Sequence, residues 1–511
     1  MRVAKLAFVM AVSCLLAAPA LAQKAQDTLR VAINNPFNLL STYDLPVDEG
    51  LVYSHEIYDY MLNYDEFNKK FVPGLAKSWK RIDDKTLEFE LRDDVKFHNG
   101  DAFDADDVKA TIDYVIDPKS KITFATSYNW VKEVEVMGPH TVRFHMVDAI
   151  ATDLIQVAYR FQIYDGKLLS KMADRGDYGR LSPVGTGIYK VTQLDKNKGV
   201  IVERNDAYNV VPKEFKTARI KQIHGIPMPD RETQVAQILT GGVDLLRNVT
   251  PDTAKELAGK NNLTVSYVRT LNLMYMALDS MNLSGNKALS DPRVRQAIFM
   301  GIDRENLIKY IIPGGEVAEH IDADCFKATM ACSYTTKPPA YDPEGAKKLL
   351  AEAGYPDGID LNYVIYQPNE PIGIAIAGDL RKIGVRMSVQ PTDIALYRRL
   401  QGDGKLQAWS ILYPTGTYPD ASAIFAVLFT GPAAKFYNDS VIDAQIQAGL
   451  REFDPEKRAA IYAKAFDRIN EMHYHLPISS VPDVYVHTKD VKIAPDALSV
   501  GQRSVVDYAW N

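Results

Sequence analysis

The sequence predicts an α/β protein in which mixed sheets are flanked by helices, and three stretches lead to this prediction. Residues 86–92 alternate between apolar and polar side chains, as expected for a strand that has one face in water. Residues 219–226 and 243–246 are two further apolar strands, and the helix between them begins at Asp230. A strand–helix–strand unit of this kind requires a parallel sheet. After Asp454, an apolar stripe at helical spacing predicts a long helix with one buried face.

The other elements follow in chain order from the same two periodicities and from Asp residues that can cap helices. The predicted strands cover residues 28–33, 86–92, 95–98, 141–146, 219–226, 243–246, 273–279, 361–366, 385–389 and 483–487. The predicted helices follow Asp104, Asp230, Asp291, Asp303, Asp342 and Asp454, with two more near residues 164–172 and 373–383. Gly241 and Gly354 predict the ends of two helices, because glycine readily takes the left-handed conformation that follows a helix.

The composition is that of an ordinary globular protein, and the 511 residues are enough for two or three domains. Hydrophobic residues make up 46% and charged residues 24%, so a full core can form. The formal net charge of -6, without any basic run, argues against nucleic acid as a partner. No apolar run of about eighteen residues occurs after the N-terminal region, so we expect no membrane span in the mature chain.

The N-terminus has the three parts of a secretory signal and is not expected to belong to the fold. Arg2 and Lys5 form the charged part, residues 6–18 the apolar part, and residues 20–22 an A-x-A cleavage site. The mature chain would begin at Gln23 and be periplasmic. Its net charge would be -8, since cleavage removes two basic residues from a chain of net charge -6.

The three cysteines fall into two groups. Cys14 lies within the signal and raises a lipoprotein alternative, but residues 11–13 lack the usual leucine and come early in the apolar part. Cys325 and Cys332 remain in the mature chain, and two cysteines this close usually form a disulfide in an oxidising compartment. Zinc is the less favoured alternative, because a structural zinc site needs about four ligands and no other Cys or His is near.

Residues 75–114 contain L-A-x-S-W, D-x-x-T-x-x-F-x-L-R, V-K-F-H-N-G and F-x-A-x-D-V, in this order. Together these motifs resemble the signature of solute-binding protein family 5, the extracytoplasmic receptors of dipeptide, oligopeptide and nickel ABC importers. Residues 182–189 resemble the family's P-V-G-T-G-P-Y, and residues 291–304 resemble its D-x-R-V-R-Q-A-x-x-x-A-I-D-R. The resemblance extends over almost the whole mature chain.

The resemblance implies a two-lobed periplasmic-binding-protein fold of the large type, which contains an extra small domain. The implied divisions are a signal peptide at residues 1–22, a first-lobe core of residues 23–50, 182–270 and 481–511, an extra subdomain of residues 51–181, and a second lobe of residues 271–480. The chain would cross between the lobes near residues 271–280 and 476–488.

The function that the resemblance implies is capture of a peptide-like or other small organic solute between the lobes and delivery to an inner-membrane ABC permease. We expect a monomer, no cofactor and no enzymatic activity. Two alternatives remain open: a secreted hydrolase on a related scaffold, and an extracytoplasmic chaperone or signalling receptor. The sequence shows no Ser-His-Asp constellation, although its many acidic residues could supply a carboxylate pair.

Three histidines are candidates for a catalytic or metal-binding role. His98 lies beside a turn without a nucleophile or a second histidine in its motif, so we interpret it as a structural marker of the family fold. His473 and His475 are two positions apart, so on a helix they would point to different sides. We therefore predict no metal site.

Ligand contacts in a two-lobed receptor come from loops at the ends of strands, since these loops face the cleft. The loop of residues 409–420 holds three aromatic residues, two prolines and one acid, which suits ligand binding. The alternative is a surface loop whose rings cover their own core. The candidate ligand-binding residues are Asn35, Tyr43, Tyr366, Gln367, Asn369, Trp409, Tyr413, Tyr418 and Asp420.

The chain departs from the dipeptide-binding members of the family at both ends of their ligand. Those members carry G-W-x-G-D-x-x-D-P in this loop, and its first Asp pairs with the α-ammonium group, where this chain has Leu412 or Tyr413. They also carry an arginine for the carboxylate after the strand that matches residues 361–366, where this chain has none before Arg381. We therefore expect simple dipeptides to bind weakly. A modified peptide, an opine-like conjugate or a sugar derivative, with flat or apolar faces, would bind better.

Overall fold

A computed structural model of the chain describes residues 26–44, 48–123, 125–260, 262–411, 413–414, 418–494 and 504–511. The predicted signal peptide and its cleavage site therefore lie outside the described residues. Among the described residues, we find no helix with the length and apolar character that a membrane span requires.

The first of two large sheets has a parallel centre. Its middle strand, Thr28–Ile33, runs parallel to Gln222–Pro227 on one side and to Leu245–Leu246 on the other. These two neighbours and the helix Arg231–Thr240 form the strand–helix–strand unit that the sequence predicts. Within the described residues, the strand order is Leu263–Val268, Asp483–Thr488, Leu245–Leu246, Thr28–Ile33, Gln222–Pro227, Gly199–Arg204 and Tyr189–Asp195.

The second large sheet is also mixed. Its strand Ile359–Tyr366 runs parallel to two neighbours, whereas Asn272–Leu278 pairs antiparallel. Over the part of the chain that the structure describes, the order is Val385–Thr392, Ile359–Tyr366, Ala408–Ser410, Asn272–Leu278 and Tyr413–Pro414, and His475–Ser480 also pairs with Asn272–Leu278. The chain passes from the first sheet to this one after Val268 and returns after Ser480.

A smaller antiparallel sheet contains the first two of the four family motifs in residues 75–114. Its strands, in spatial order, are Ala76–Asp83, Thr86–Leu91, Thr141–Met146 and Val131–Gly138. The strand predicted at residues 95–98 is wrong. Val95 and Phe97 are buried, but the backbone here turns and makes only an isolated bridge from Lys96 to Ala102. Apolar side chains in so short a segment anchor a turn to the core as readily as they indicate a strand. Two strand pairs complete the description, Leu62–Asp65 with Lys70–Pro73 and Val491–Ile493 with Tyr508–Trp510.

Helices surround these sheets. Those found in the described residues are Asp48–Ile57, Ala105–Ile116, Asp153–Arg160, Gly166–Lys171, Tyr178–Leu181, Arg231–Thr240, Pro251–Leu257, Pro292–Met300, Arg304–Asn306, Pro343–Glu352, Glu370–Arg381, Ile394–Gly402, Ala421–Leu428, Ser440–Gly449 and Pro455–Glu471. The predicted caps are confirmed, because the side chains of Asp104, Asp230, Asp291, Asp303, Asp342 and Asp454 accept hydrogen bonds from backbone N–H groups of the first turn.

His98 joins two of the family motifs. Its Nε2 donates to the carbonyl oxygen of Gly187 at 2.9 Å, which leaves Nδ1 to accept from the N–H of Gly185 at 3.3 Å. Burial lowers the pKa of His98 to about 4, so the imidazole is neutral in the fold. A Cβ at Gly185 would lie 1.9 Å from the carbonyl oxygen of Ile57, so only glycine fits this crossing. The structural interpretation of His98 is confirmed.

Candidate ligand-binding site

Several candidate residues lie at the carboxyl ends of parallel strands, the edge at which α/β sheets usually bind ligands. Asn35 follows Thr28–Ile33 in the first sheet and is exposed. Gln367 and Asn369 follow Ile359–Tyr366 in the second sheet and form a short 3-10 turn. Each large sheet therefore contributes polar residues at the edge where its parallel strands end.

The turn in the second sheet combines an exposed residue with a buried amide. Gln367 is exposed, and Tyr366 is half-buried against the core. Asn369 is buried, and its Nδ2 has no hydrogen-bond partner among the described residues. A buried amide without a partner is costly, so this position favours a polar group on the molecule that approaches it.

Two candidates lie in the hydrophobic core. Tyr43 is fully buried, and its hydroxyl donates to the carbonyl oxygen of Gln162 at 2.8 Å. Trp409 is 2% exposed, and its ring lies 4.7 Å from that of Phe436. Trp409 therefore fits the alternative interpretation of the loop, in which the aromatic rings cover their own core, better than it fits a role in ligand binding. We leave both residues out of the site proposed below.

Asp420 already has a charged partner. Its carboxylate accepts from the N–H of Ser422, where it caps the helix Ala421–Leu428, and pairs with Arg458 at 2.7 Å. The two paired side chains are 2% and 0% exposed, so the charge of Asp420 is neutralised inside the protein. This arrangement argues against Asp420 as the partner of a ligand ammonium group.

Tyr413 is described only in part. Its backbone pairs with Leu273, but its side chain lies outside the described residues, as do residues 415–417. Tyr418 is described fully and is buried. The hydroxyl of Ser422 lies 3.4 Å from that of Tyr418.

An arginine outside the set of candidates predicted from the sequence faces Tyr418. Arg160 ends the helix Asp153–Arg160, and its guanidinium carbon lies 5.0 Å from the centre of the Tyr418 ring. The side chain is half-buried, and its Nε has no hydrogen-bond partner among the residues that the structure describes. Arg160 and Tyr418 are far apart in the sequence, so no local pattern connects them. In the local sequence, a binding role for Arg160 is indicated only by its position between two aromatic residues, Tyr159 and Phe161.

The pKa shifts near this ring follow from burial. Burial raises the pKa of Tyr128 to about 12, and the charge of Arg160 opposes part of that rise. Burial also raises the pKa of Tyr418, again against the effect of Arg160. Both hydroxyls therefore stay protonated at neutral pH, so the two rings beside Arg160 are neutral.

This architecture defines a class of protein. Two α/β sheets joined by two crossings, with polar residues on loops at the ends of their parallel strands, characterise the two-lobed solute-binding proteins. The sequence profile described as "Bacterial extracellular solute-binding proteins, family 5 Middle" matches residues 70–436. The chain belongs to this family, as its motifs predicted.

Relatives and solved structures resemble the chain over nearly its whole length. The glutathione-binding protein GsiB of Salmonella paratyphi A is 26% identical over 505 residues, covering 95% of this chain and 95% of the relative. NikA from Brucella suis in complex with Fe(III)-EDTA is 23% identical with a TM-score of 0.82, covering 95% of this chain and 100% of that one. A dipeptide-binding protein from Pseudoalteromonas sp. SM9913 in complex with Met-Leu is 21% identical with a TM-score of 0.75, with the same coverage.

The family assignment gives the general function. The chain is a solute-binding receptor of an ABC importer and not an enzyme, as the resemblance of its motifs implied. The hydrolase alternative therefore has no support.

Proposed function

We propose that the mature chain, beginning at Gln23, works in the periplasm as a monomer and binds a modified peptide that has a free carboxylate. The lobes are those expected from the sequence: a first lobe of residues 23–270 and 481–511 and a second lobe of residues 271–480. Residues 51–181 are the extra subdomain of the first lobe. The ligand lies between the lobes, among Arg160, Tyr418 and the strand-end residues Asn35, Tyr366, Gln367 and Asn369.

The observation that carries the ligand class is the position of Arg160. Its guanidinium extends from the extra subdomain to Tyr418 of the second lobe and keeps one donor without a partner among the described residues. A guanidinium binds a carboxylate through parallel N–H donors, which makes this pairing strong and directional. Arg160 would supply, from the first lobe, the positive charge that dipeptide receptors carry in the second. The ligands named for the three relatives above all contain carboxylates, which supports this class.

Among the described residues, we identify no comparable partner for the opposite end of a simple dipeptide. Asp420, the acid nearest to the expected position, is neutralised by Arg458. Burying an unpaired ammonium group is heavily penalised. We therefore propose a modified peptide over an unmodified dipeptide. Glutathione is the first probe, because its ammonium group lies on the same carbon as a carboxylate that partly neutralises it, whereas the ammonium group of a dipeptide is separated from its carboxylate.

Calorimetry with glutathione, Met-Leu and the C-terminal amide of Met-Leu tests this proposal. For the probe that binds most tightly, we expect Arg160→Gln to weaken binding by about 2 kcal/mol, because a hydrogen bond to a charged group is lost. Arg180→Gln is the matched control, since Arg180 is 46% exposed and pairs only with Asp177 of its own turn among the described residues.

Two results would count against the proposal. Equal affinity of the parent and Arg160→Gln for every carboxylate probe would remove Arg160 from the site. Submicromolar binding of Met-Leu by the parent would show that an unmodified dipeptide is accepted.

A further inference from the structure

We propose that the extra subdomain and the second lobe form a closure latch, a set of contacts that form and break as the lobes close and open. The latch residues are Lys69, Arg81 and Ala151 on the subdomain and Lys327, Leu450, Phe453 and Arg458 on the second lobe. The proposal rests on the two-lobed receptor proposed above and adds a device that sets the balance between its open and closed states.

The centre of the latch is a pair of hydrogen bonds at Ala151. Its N–H donates to the carbonyl oxygen of Leu450 at 2.8 Å, and its own carbonyl oxygen accepts from Nη1 of Arg458 at 2.9 Å. Arg458 is held in place by its ion pair with Asp420. The second lobe therefore presents a fixed donor and a fixed acceptor to one residue of the subdomain.

Two contacts lie at the sides of this centre. The guanidinium of Arg81, which pairs with Asp153 at 2.7 Å, lies 4.2 Å from the centre of the Phe453 ring. The Nζ of Lys69 donates to the carbonyl oxygen of Lys327 at 2.9 Å. Both contacts are of kinds that are individually weak in the presence of water, so they are easily broken.

Polar atoms buried at the same boundary oppose closure. The hydroxyls of Tyr64 and Tyr462, Nε of Arg458 and Nη1 of Arg81 are buried without a hydrogen-bond partner among the described residues. Each such atom has lost its hydrogen bonds to water without gaining a partner in the protein, and this loss raises the free energy of the closed state. The direct contacts are thereby partly offset, and the ligand-free closed state is only weakly favoured. An interface with this balance responds to the additional free energy of a bound solute.

Hydrogen exchange at the amide of Ala151 in the ligand-free mature protein tests the latch. The parent should protect this amide. The double variant Lys69→Asn with Phe453→Ala should exchange it about threefold faster or more, because a hydrogen bond and a cation–π contact are lost. Asn suits position 69, whose φ is 52°. Lys327→Ala is the matched control, since the latch uses only the backbone oxygen of Lys327, and it should leave the exchange rate unchanged.

Two results would overturn the latch: an unprotected Ala151 amide in the parent, or equal exchange at Ala151 in the parent and the double variant. Amides of the strand Asn272–Leu278 report whether the variant is folded, and Phe453→Ala alone serves if the double variant is not. If no solute binds at all, the proposed function fails, but the ligand-free exchange experiment still decides whether the latch exists.

Discussion

Arg458 and Asp420 form an ion pair that is almost entirely removed from water. Moving two charges out of water is costly, and their attraction offsets that cost only while both are present. Because Asp420 also caps Ala421–Leu428, the pair fixes the start of the helix that follows Tyr418. Arg160 faces the ring of Tyr418 without a carboxylate partner among the described residues, so its charge remains available to a ligand.

Arg458→Met should lower the free energy of unfolding by about 3–5 kcal/mol, because it leaves the carboxylate of Asp420 buried without a countercharge. Urea denaturation of the ligand-free protein measures this loss. Lys77→Met is the control. Its partner is Glu90, and the two side chains are 47% and 55% exposed, so the change should lower the free energy of unfolding far less than Arg458→Met does. Similar losses in the two variants would contradict the account of the buried pair.

His98 should make stability depend on pH. Its pKa is about 4 in the fold and 6.5 ordinarily, because burial disfavours the charged imidazole. Between these pH values the unfolded chain binds a proton that the folded chain does not, so the free energy of unfolding decreases as the pH falls. The contribution of His98 is at most about 3 kcal/mol. Urea denaturation at pH 7 and pH 4.5 should show a smaller loss for His98→Gln than for the parent. Equal losses would mean that His98 titrates normally.

The disulfide Cys325–Cys332 stabilises a loop that docks on a neighbouring helix. Its Cα atoms are 5.8 Å apart, and the pairing predicted from the sequence is confirmed. Within the loop, Met330 accepts from the N–H of Ala421 at 2.9 Å and donates to the carbonyl oxygen of Pro419 at 2.8 Å. The loop therefore supports the segment next to Tyr418.

Replacing both cysteines by serine should lower the free energy of unfolding by about 2–3 kcal/mol, since the unfolded chain gains the entropy that the short closed loop removes. Urea denaturation measures the change, and reduction of the parent with dithiothreitol should reproduce it. If neither treatment alters the midpoint, the disulfide does not stabilise the fold.

The elements could be predicted largely because their signals are local. At Asp291 and Asp454, a cap, a proline and an apolar stripe occur within a few residues, and a helix begins at each. The strand predicted at residues 95–98 is wrong because two buried apolar residues in four do not distinguish a strand from an anchored turn.

The site could be predicted only in part, because its decisive contacts connect distant residues. An aromatic loop suggested Trp409 as a ligand contact, but Phe436 places that ring in the core. Arg160 can be recognised as a candidate only from the folded structure, in which it lies beside Tyr418. Local patterns report burial and helix starts, whereas the partner of a charge depends on tertiary packing.

At the scale of the whole molecule, the connectivity favours movement of two rigid bodies. The chain passes between the large sheets only after Val268 and after Ser480 within the described residues. Two short connections can act as a hinge while each lobe keeps its own core. Closure would bring Arg160 and the latch residues of the subdomain against the second lobe. Binding of the ligand, recognition of its charge and the change in molecular shape would therefore occur in one transition.

Small-angle scattering of the mature protein, with and without its own solute, tests the receptor function most directly. Mass spectrometry of the extract from denatured protein identifies the small molecule that the protein carries through purification, and calorimetry establishes saturation. We expect the radius of gyration to decrease when this solute is added to the stripped protein. The ligand-free closed state is only weakly favoured, so a fraction of the molecules is open and closes around the solute. An unchanged radius at saturation, or a protein that neither carries nor binds any small solute, would contradict the account.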